Sequence, residues 1–286
     1  MGFEYKRHDA PTFISAALFC LKNAISGWTM FVSSTVIDLL QTFFDATIFF
    51  FMAVYVAPGV AEQMAPFGGN YAGYVVLGFL AAGLLDSMMK SFYNAVASGY
   101  WGAQFEFYDA FPLGIPAYLT GAAGFNLLIA LLRFAIIALV GLTLFGVRVE
   151  WGNSPAVLTI LVVGLISVIG LGLAAASTFF LLNAKRWSDP VSWVAHILSS
   201  LIAGVYFPPD ILPSWLQRFA ALLPHFHLLR ALRLAVMAGA GLGHPVVAHD
   251  LAVLGVMALV FVPSGAWLFR LGIHRAERLG QFTRWV

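Results

Sequence analysis

In a chain that is 61% hydrophobic and 10% charged, the side chains able to do chemistry are few and most stand apart. Asp38, Gln41 and Asp45 recur at three- and four-residue spacing, which puts them on one face of a helix. Arg133 falls near the middle of another apolar run, and Asp86 and Lys90 have the four-residue spacing of an ordinary helical ion pair. A charge at the centre of a bilayer costs a few kcal/mol on insertion scales, so each such group needs a partner or a polar cavity. Asp45 and Arg133, both near mid-run, form the expected pair, either as a tie between two helices or as a polar element of a passage.

Other chemistry is thinly represented. His225, His227, His244 and His249 lie in one stretch, but no carboxylate or Cys spacing marks a metal site, so no metal is expected. Cys20 is the one cysteine, read as a packed thiol. No nucleophile stands with a base, and no Gly-x-x-x-x-Gly-Lys-[Ser/Thr] is present to hold ATP phosphates. The chain is therefore read as a non-enzyme. Fifteen Lys and Arg against thirteen Asp and Glu leave no basic field for nucleic acid.

The elements that position these residues follow from the composition. A soluble domain carries about a quarter of its residues charged, and this chain has too little polar surface to cover a globule. It reads as an all-α polytopic membrane protein. Helices of roughly 20 apolar residues cross the hydrocarbon, and six candidate spans emerge: 32–57, 71–89, 117–145, 157–182, 191–206 and 251–271. Ten Lys and Arg fall on the side of the first residues (1–28) and the last (272–286), and four on the other. That bias places both ends in the cytoplasm, and the start of the chain does not read as a signal peptide. Gly164, Gly170, Gly172 and Ala174 to Ala176 give the fourth span a small-residue surface suited to close helix packing.

Three apolar segments do not span. Phe13, Ile14, Ala17, Leu18, Leu21 and Ile25 recur at helical spacing opposite Ser15, Lys22 and Ser26, the pattern of an amphipathic helix at the membrane surface, with Phe19 intruding on the polar face. The connection from Lys90 to Pro116 carries Tyr93, Tyr100, Trp101, Phe105, Phe107, Tyr108 and Phe111, too aromatic for a solvated loop, and reads as a contact surface or an interfacial belt. Residues 207–233 stay apolar but are cut by Pro208, Pro209, Pro213 and Pro224. Two half-length helices result, a re-entrant hairpin tolerated only where protein or a water-filled cavity surrounds it.

The hairpin carries a resemblance. Ala203-Gly-Val-Tyr-Phe-Pro, Ile211-Leu-Pro-Ser-Trp-Leu-Gln-Arg-Phe-Ala, Leu223-Pro-His-Phe-His and Arg230-Ala-Leu-Arg233 resemble the membrane subunit of ABC-2 type exporters. The resemblance implies that Tyr206, Phe207, Pro208, Pro213, Trp215, Pro224, Arg230 and Arg233 form a hairpin or gate. In the 90–116 connection Glu106 and Pro112 keep the family's six-residue spacing, whereas Gly102 lies four residues before the Glu and the family's Thr is missing. That connection would hold a coupling helix, with Tyr100, Trp101 and Phe105 docking an ATPase subunit and Gln104 and Glu106 at the rim. ATP and Mg are then expected on that separate ATPase, with no cofactor on this chain. A second permease copy or a paralogous permease is implied, in the bacterial cytoplasmic membrane among its lipids.

Two function classes remain in view. An ATP-driven exporter would move an amphipathic, lipid-linked or hydrophobic substrate. An ion- or proton-coupled secondary transporter would instead use Asp38, Asp45, Asp86 and Arg133, and would be expected to carry an internal repeat, which the spans do not show.

Overall fold

The computed structural model describes residues 13–28, 32–56, 70–102, 105, 114–143, 154–182 and 189–280. Among the described residues there are helices and no strands. They are α1 (Phe13–Trp28), α2 (Val32–Val56), α3 (Tyr71–Trp101), α4 (Gly114–Thr143), α5 (Ser154–Leu181), α6 (Pro190–Ile202), α7 (Ser214–Ala220), α8 (Pro224–Met237) and α9 (Pro245–Arg278), with a 3-10 turn at Pro209–Ile211. Pro190, Pro224 and Pro245 each open a helix, where a missing N–H costs nothing. Side chains cap two starts: Asn70 Oδ1 accepts from Gly73 N at 2.9 Å, and Asp189 Oδ1 from Ser192 N at 2.8 Å.

Among the described residues, five helices (α2, α3, α4, α5 and α9) are long and apolar enough to cross a membrane. The expected fifth span is shorter than the sequence indicated. α6 has 13 residues and ends before Gly204, whose φ of +86° turns the chain. At about 1.5 Å per residue α6 is ~20 Å long, less than the ~30 Å hydrocarbon thickness. α3 is longer than expected. Lys90 ends the apolar run but not the helix, which continues through residues 91–101 to Gly102 because no Gly or Pro interrupts it before Gly99.

α3 is the most buried of the long helices and α2 the least. α5 packs against three neighbours through separate glycines. A Cβ on Gly164 would strike Leu228 of α8, one on Gly172 would strike Phe92 and the Met89 backbone of α3, and one on Gly170 would lie 1.9 Å from Phe261 O of α9. Gly265 of α9 meets Gly170 in return, and Gly272 meets Ser177, so α5 and α9 run parallel in near backbone contact. The small-residue surface read in the sequence therefore serves these close crossings.

α1 docks on α4 where Gly121 admits the Ala17 and Leu21 backbone and the Cys20 Cβ. The apolar stripe is divided between two surroundings. Ala17 and Leu21 turn to α4, while Ile14, Leu18 and Ile25 stay exposed together with Phe19. α7 and α8 meet at a bend of 91°.

Candidate functional site

Among the described residues, four polar clusters tie the helices to one another. The first is built on Arg233, whose side chain is the largest fully buried one among the described residues. Its Nη1 donates to Gly204 O at 2.6 Å, Nη2 to Val205 O at 2.8 Å and to Tyr74 O at 3.0 Å, and Nε to Tyr74 O at 3.2 Å. The guanidinium also lies over the Tyr74 ring, 3.4 Å from its centroid. Tyr74 Oη donates to Gly204 O at 3.3 Å and Tyr71 Oη to Tyr206 O at 2.9 Å. Three consecutive carbonyls of the turn after α6 are thus held by side chains from α3 and α8. Gly78 makes room, since a Cβ there would sit 2.0 Å from Arg233 Nη2 and 2.4 Å from Val205 O. No carboxylate among the described residues pairs with Arg233; carbonyl dipoles and a ring face compensate its charge.

The second cluster ties α8 to α9. Asp250, wholly buried, accepts from Arg230 through both oxygens, Nε to Oδ2 at 2.8 Å and Nη2 to Oδ1 at 2.5 Å. His227 Nδ1 lies 2.8 Å from Asp250 Oδ1, and its Nε2 lies 2.9 Å from Ala221 O at the end of α7. The ring thus bridges the Asp250 carboxylate and the Ala221 carbonyl. His227, His249 and Asp250 bring ligand-capable atoms within 4.8 Å of one another, a grouping the sequence reading passed over. Asp250 stands next to His249 in the chain, which was the available signal. With Arg230 forked onto the same carboxylate, the geometry is that of an ionic lock between α7, α8 and α9.

The third cluster corrects the reading of Asp86. Its partners are two histidines and not Lys90: His196 Nδ1 of α6 at 2.5 Å from Oδ2, and His225 Nε2 of α8 at 3.3 Å from Oδ1. His225 is wholly buried, and neither of its ring nitrogens has a hydrogen-bond partner among the described residues. Asp86 and Tyr74 are separated by about 18 Å along α3, and His225 and Arg233 by about 12 Å along α8. Because His225 meets Asp86 and Arg233 meets Tyr74, α8 runs antiparallel to α3.

The fourth cluster corrects the expected pair in the first and third spans. Arg133 Nη2 donates to Asp38 Oδ2 at 2.6 Å, and no ion pair forms between Arg133 and Asp45. Asp38 lies two turns nearer the start of α2 than Asp45, and the crossing of α2 with α4 brings it alongside Arg133. Gln41 is exposed. Asp38 and Arg133 line a cleft of about 470 Å³ between α2, α3 and α4.

The aromatic residues expected to dock a partner are divided. Phe105 is wholly buried against Gly99, Tyr118 and Phe180, and Tyr100 is buried against Phe179. Both belong to the core, because Gly99 leaves a slot that the Phe105 ring fills. Trp101 is 46% exposed. Gln104 and Glu106 lie outside the described residues. In the hairpin, Phe207, Pro213, Trp215, Phe219 and Leu222 are exposed, whereas Pro208 and Pro224 are buried, and Tyr206 stacks on Phe49 with centroids 4.6 Å apart.

No family model matches the chain. A 95-residue stretch, 32% of the chain, is 30% identical to the linearmycin resistance permease protein LnrN of Bacillus subtilis. The chain is a multi-pass membrane protein. Its similarity to a permease agrees with the five membrane-length helices among the described residues. The match spans 23% of that relative's length.

Proposed function

We propose that the chain is the permease subunit of an ABC-2 type exporter, working as a homodimer or with a paralogous permease and driven by a separate ATPase. The observation that carries this reading is the bent pair α7 and α8, which falls on the segment whose motifs resemble that family and is clamped by Arg233 to the turn after α6. Under this reading α6 and its turn make the fifth crossing, α9 the sixth, and α7 and α8 form a re-entrant hairpin beside the passage. Buried polar contacts suit such a place, since broken backbone at membrane depth must find partners within the protein.

The relative's name ties it to linearmycin resistance, and the cargo proposed for this chain is an amphipathic, lipid-linked or hydrophobic compound. The bacterial cytoplasmic membrane is the proposed location. Trp101 is the proposed ATPase contact, with Gln104 and Glu106 beside it. The chain has no P-loop, so ATP and Mg belong to the partner.

Co-expression of the chain with candidate ATPase subunits tests this. The expected result is a co-purifying ATPase whose ATP hydrolysis supports export from inverted vesicles. A chain that purifies alone and transports only when a proton gradient is applied would replace this reading with the secondary transporter. That second reading has an observation of its own, the Asp86 carboxylate held between His196 and His225, a set of groups able to hold and pass a proton. In that case Asp86→Asn would abolish gradient-driven uptake.

A further inference from the structure

The cleft between α2, α3 and α4 takes no part in the hairpin contacts. Its volume of about 470 Å³ lies within the ~300–1,000 Å³ common for small-ligand sites, and a smaller hollow of about 150 Å³ continues from it past Ser87 and Arg133. Asn94 and Asn126 line one end and Ser87 and Arg133 the other, about 10 Å apart along the helices.

Three observations bear on what it holds. The first is an excess of donors. Ser87, Lys90 and Asn94 make no hydrogen bond or ion pair among the described residues, and the Asn126 amide reaches Ser91 O only at 3.4 Å. Arg133 donates to Asp38 through one Nη2–H, and its buried Nε has no partner among the described residues. The second is charge. Lys90 and Arg133 against Asp38 leave the cleft with one net positive charge, which matches a singly charged anion. The third is the rim. α2 exposes Ile37 and Leu40, and α4 exposes Leu128 and Leu132, so the outer faces of the flanking helices are apolar.

The geometry points to a binding site for the phosphodiester head of an anionic membrane lipid, with its acyl chains along the exposed faces of α2 and α4. Arg133, oriented by Asp38, turns Nε and its remaining N–H groups to the phosphate, and Lys90 supplies the second cation at the mouth. Ser87 and Asn94 donate to the phosphate or to head-group hydroxyls. Lys and Arg asymmetry puts this end of α3 toward the cytoplasm, the side where basic pockets between membrane helices meet anionic heads. The inference concerns binding and is independent of what drives transport.

The test uses the 286-residue chain released from nanodiscs of mixed phosphatidylglycerol and phosphatidylcholine, with retained lipids read by native mass spectrometry. Phosphatidylglycerol should be retained over phosphatidylcholine. Lys90→Gln, at an exposed position, should lower that preference about fivefold, and Lys90→Arg should restore it. Asp38→Asn with Arg133→Gln keeps the net charge but removes the guanidinium, and should lower it as well. An unchanged preference in Lys90→Gln overturns the site. Displacement of the bound lipid by soluble glycerol 3-phosphate overturns the lipid as its ligand in favour of a free phosphate ester.

Discussion

Replacing Arg233 by Lys keeps the charge and removes the fork, and so isolates what the geometry contributes. Arg233 makes four hydrogen bonds to the carbonyls of Tyr74, Gly204 and Val205 while lying flat on the Tyr74 ring. An ammonium is a point donor and cannot span Tyr74 O and both turn carbonyls, so about two bonds are lost. Hydrogen bonds inside membrane proteins average ~0.6 kcal/mol and reach ~1.7, with charged donors toward the upper end. Two lost bonds give a destabilisation of about 2–3 kcal/mol, or a melting point lower by ~5–10 °C. The measurement is the thermal decay of the monodisperse peak in detergent size-exclusion chromatography. Gly78→Ala should be at least as damaging, since its Cβ would fall 2.0 Å from Arg233 Nη2 and 2.4 Å from backbone. The double variant should lose less than the sum, because both changes break one contact. Tyr74→Phe keeps the ring and removes the hydroxyl that donates to Gly204 O at 3.3 Å, and should cost about 1 kcal/mol. Melting of Arg233→Lys at the parent temperature would refute the cage as a stabilising element.

Asp250→Asn leaves Arg230 and His227 facing a neutral amide and should destabilise by about 3 kcal/mol, seen as faster proteolysis between α7 and α9. Trp101→Ala should leave the melting point unchanged yet weaken ATPase co-purification, whereas Phe105→Ala, at a wholly buried ring, should cost about 3–5 kcal/mol and lower membrane yield. Equal losses of co-purification at normal stability for both would place Phe105 on the surface and contradict its packing. Asp38→Asn should reduce stability more than Asp45→Asn does, and Arg133→Gln should partly rescue Asp38→Asn, because the pair is then removed as a unit. The reverse order in the same melting assay would restore Asp45 as the partner.

Much of the helix map was legible because periodicity and proline are local signals. The starts of α6 and α8 stand at prolines near where they were expected, α9 begins at Pro245 ahead of the expected 251, and the glycines of α5 announced close packing before its neighbours were known. The misreadings have a common origin. Lys90 ended an apolar run, which reports the transition from lipid to water, while the helix itself continues to its cap at Gly102. Tyr100 and Phe105 read as an exposed aromatic patch because composition does not say which way a ring turns. α6 is shorter than the apolar run to Tyr206 suggests, because a left-handed Gly204 ends the helix while the apolar run continues.

By itself the sequence determined that the chain is helical and membrane-embedded, and that residues 203–233 form its most interrupted apolar segment, because hydrophobic content, helical period and proline sterics act over a few residues. Only the tertiary structure decided the partners of the charges. Asp38 and not Asp45 meets Arg133, Asp86 meets two histidines about 110 and 139 residues away and not Lys90 one turn on, and Arg233 settles on carbonyls without a counter-ion. Those choices depend on helix crossings fixed by glycine contacts between distant segments, and a charge deprived of water takes whichever acceptor the crossing places within reach.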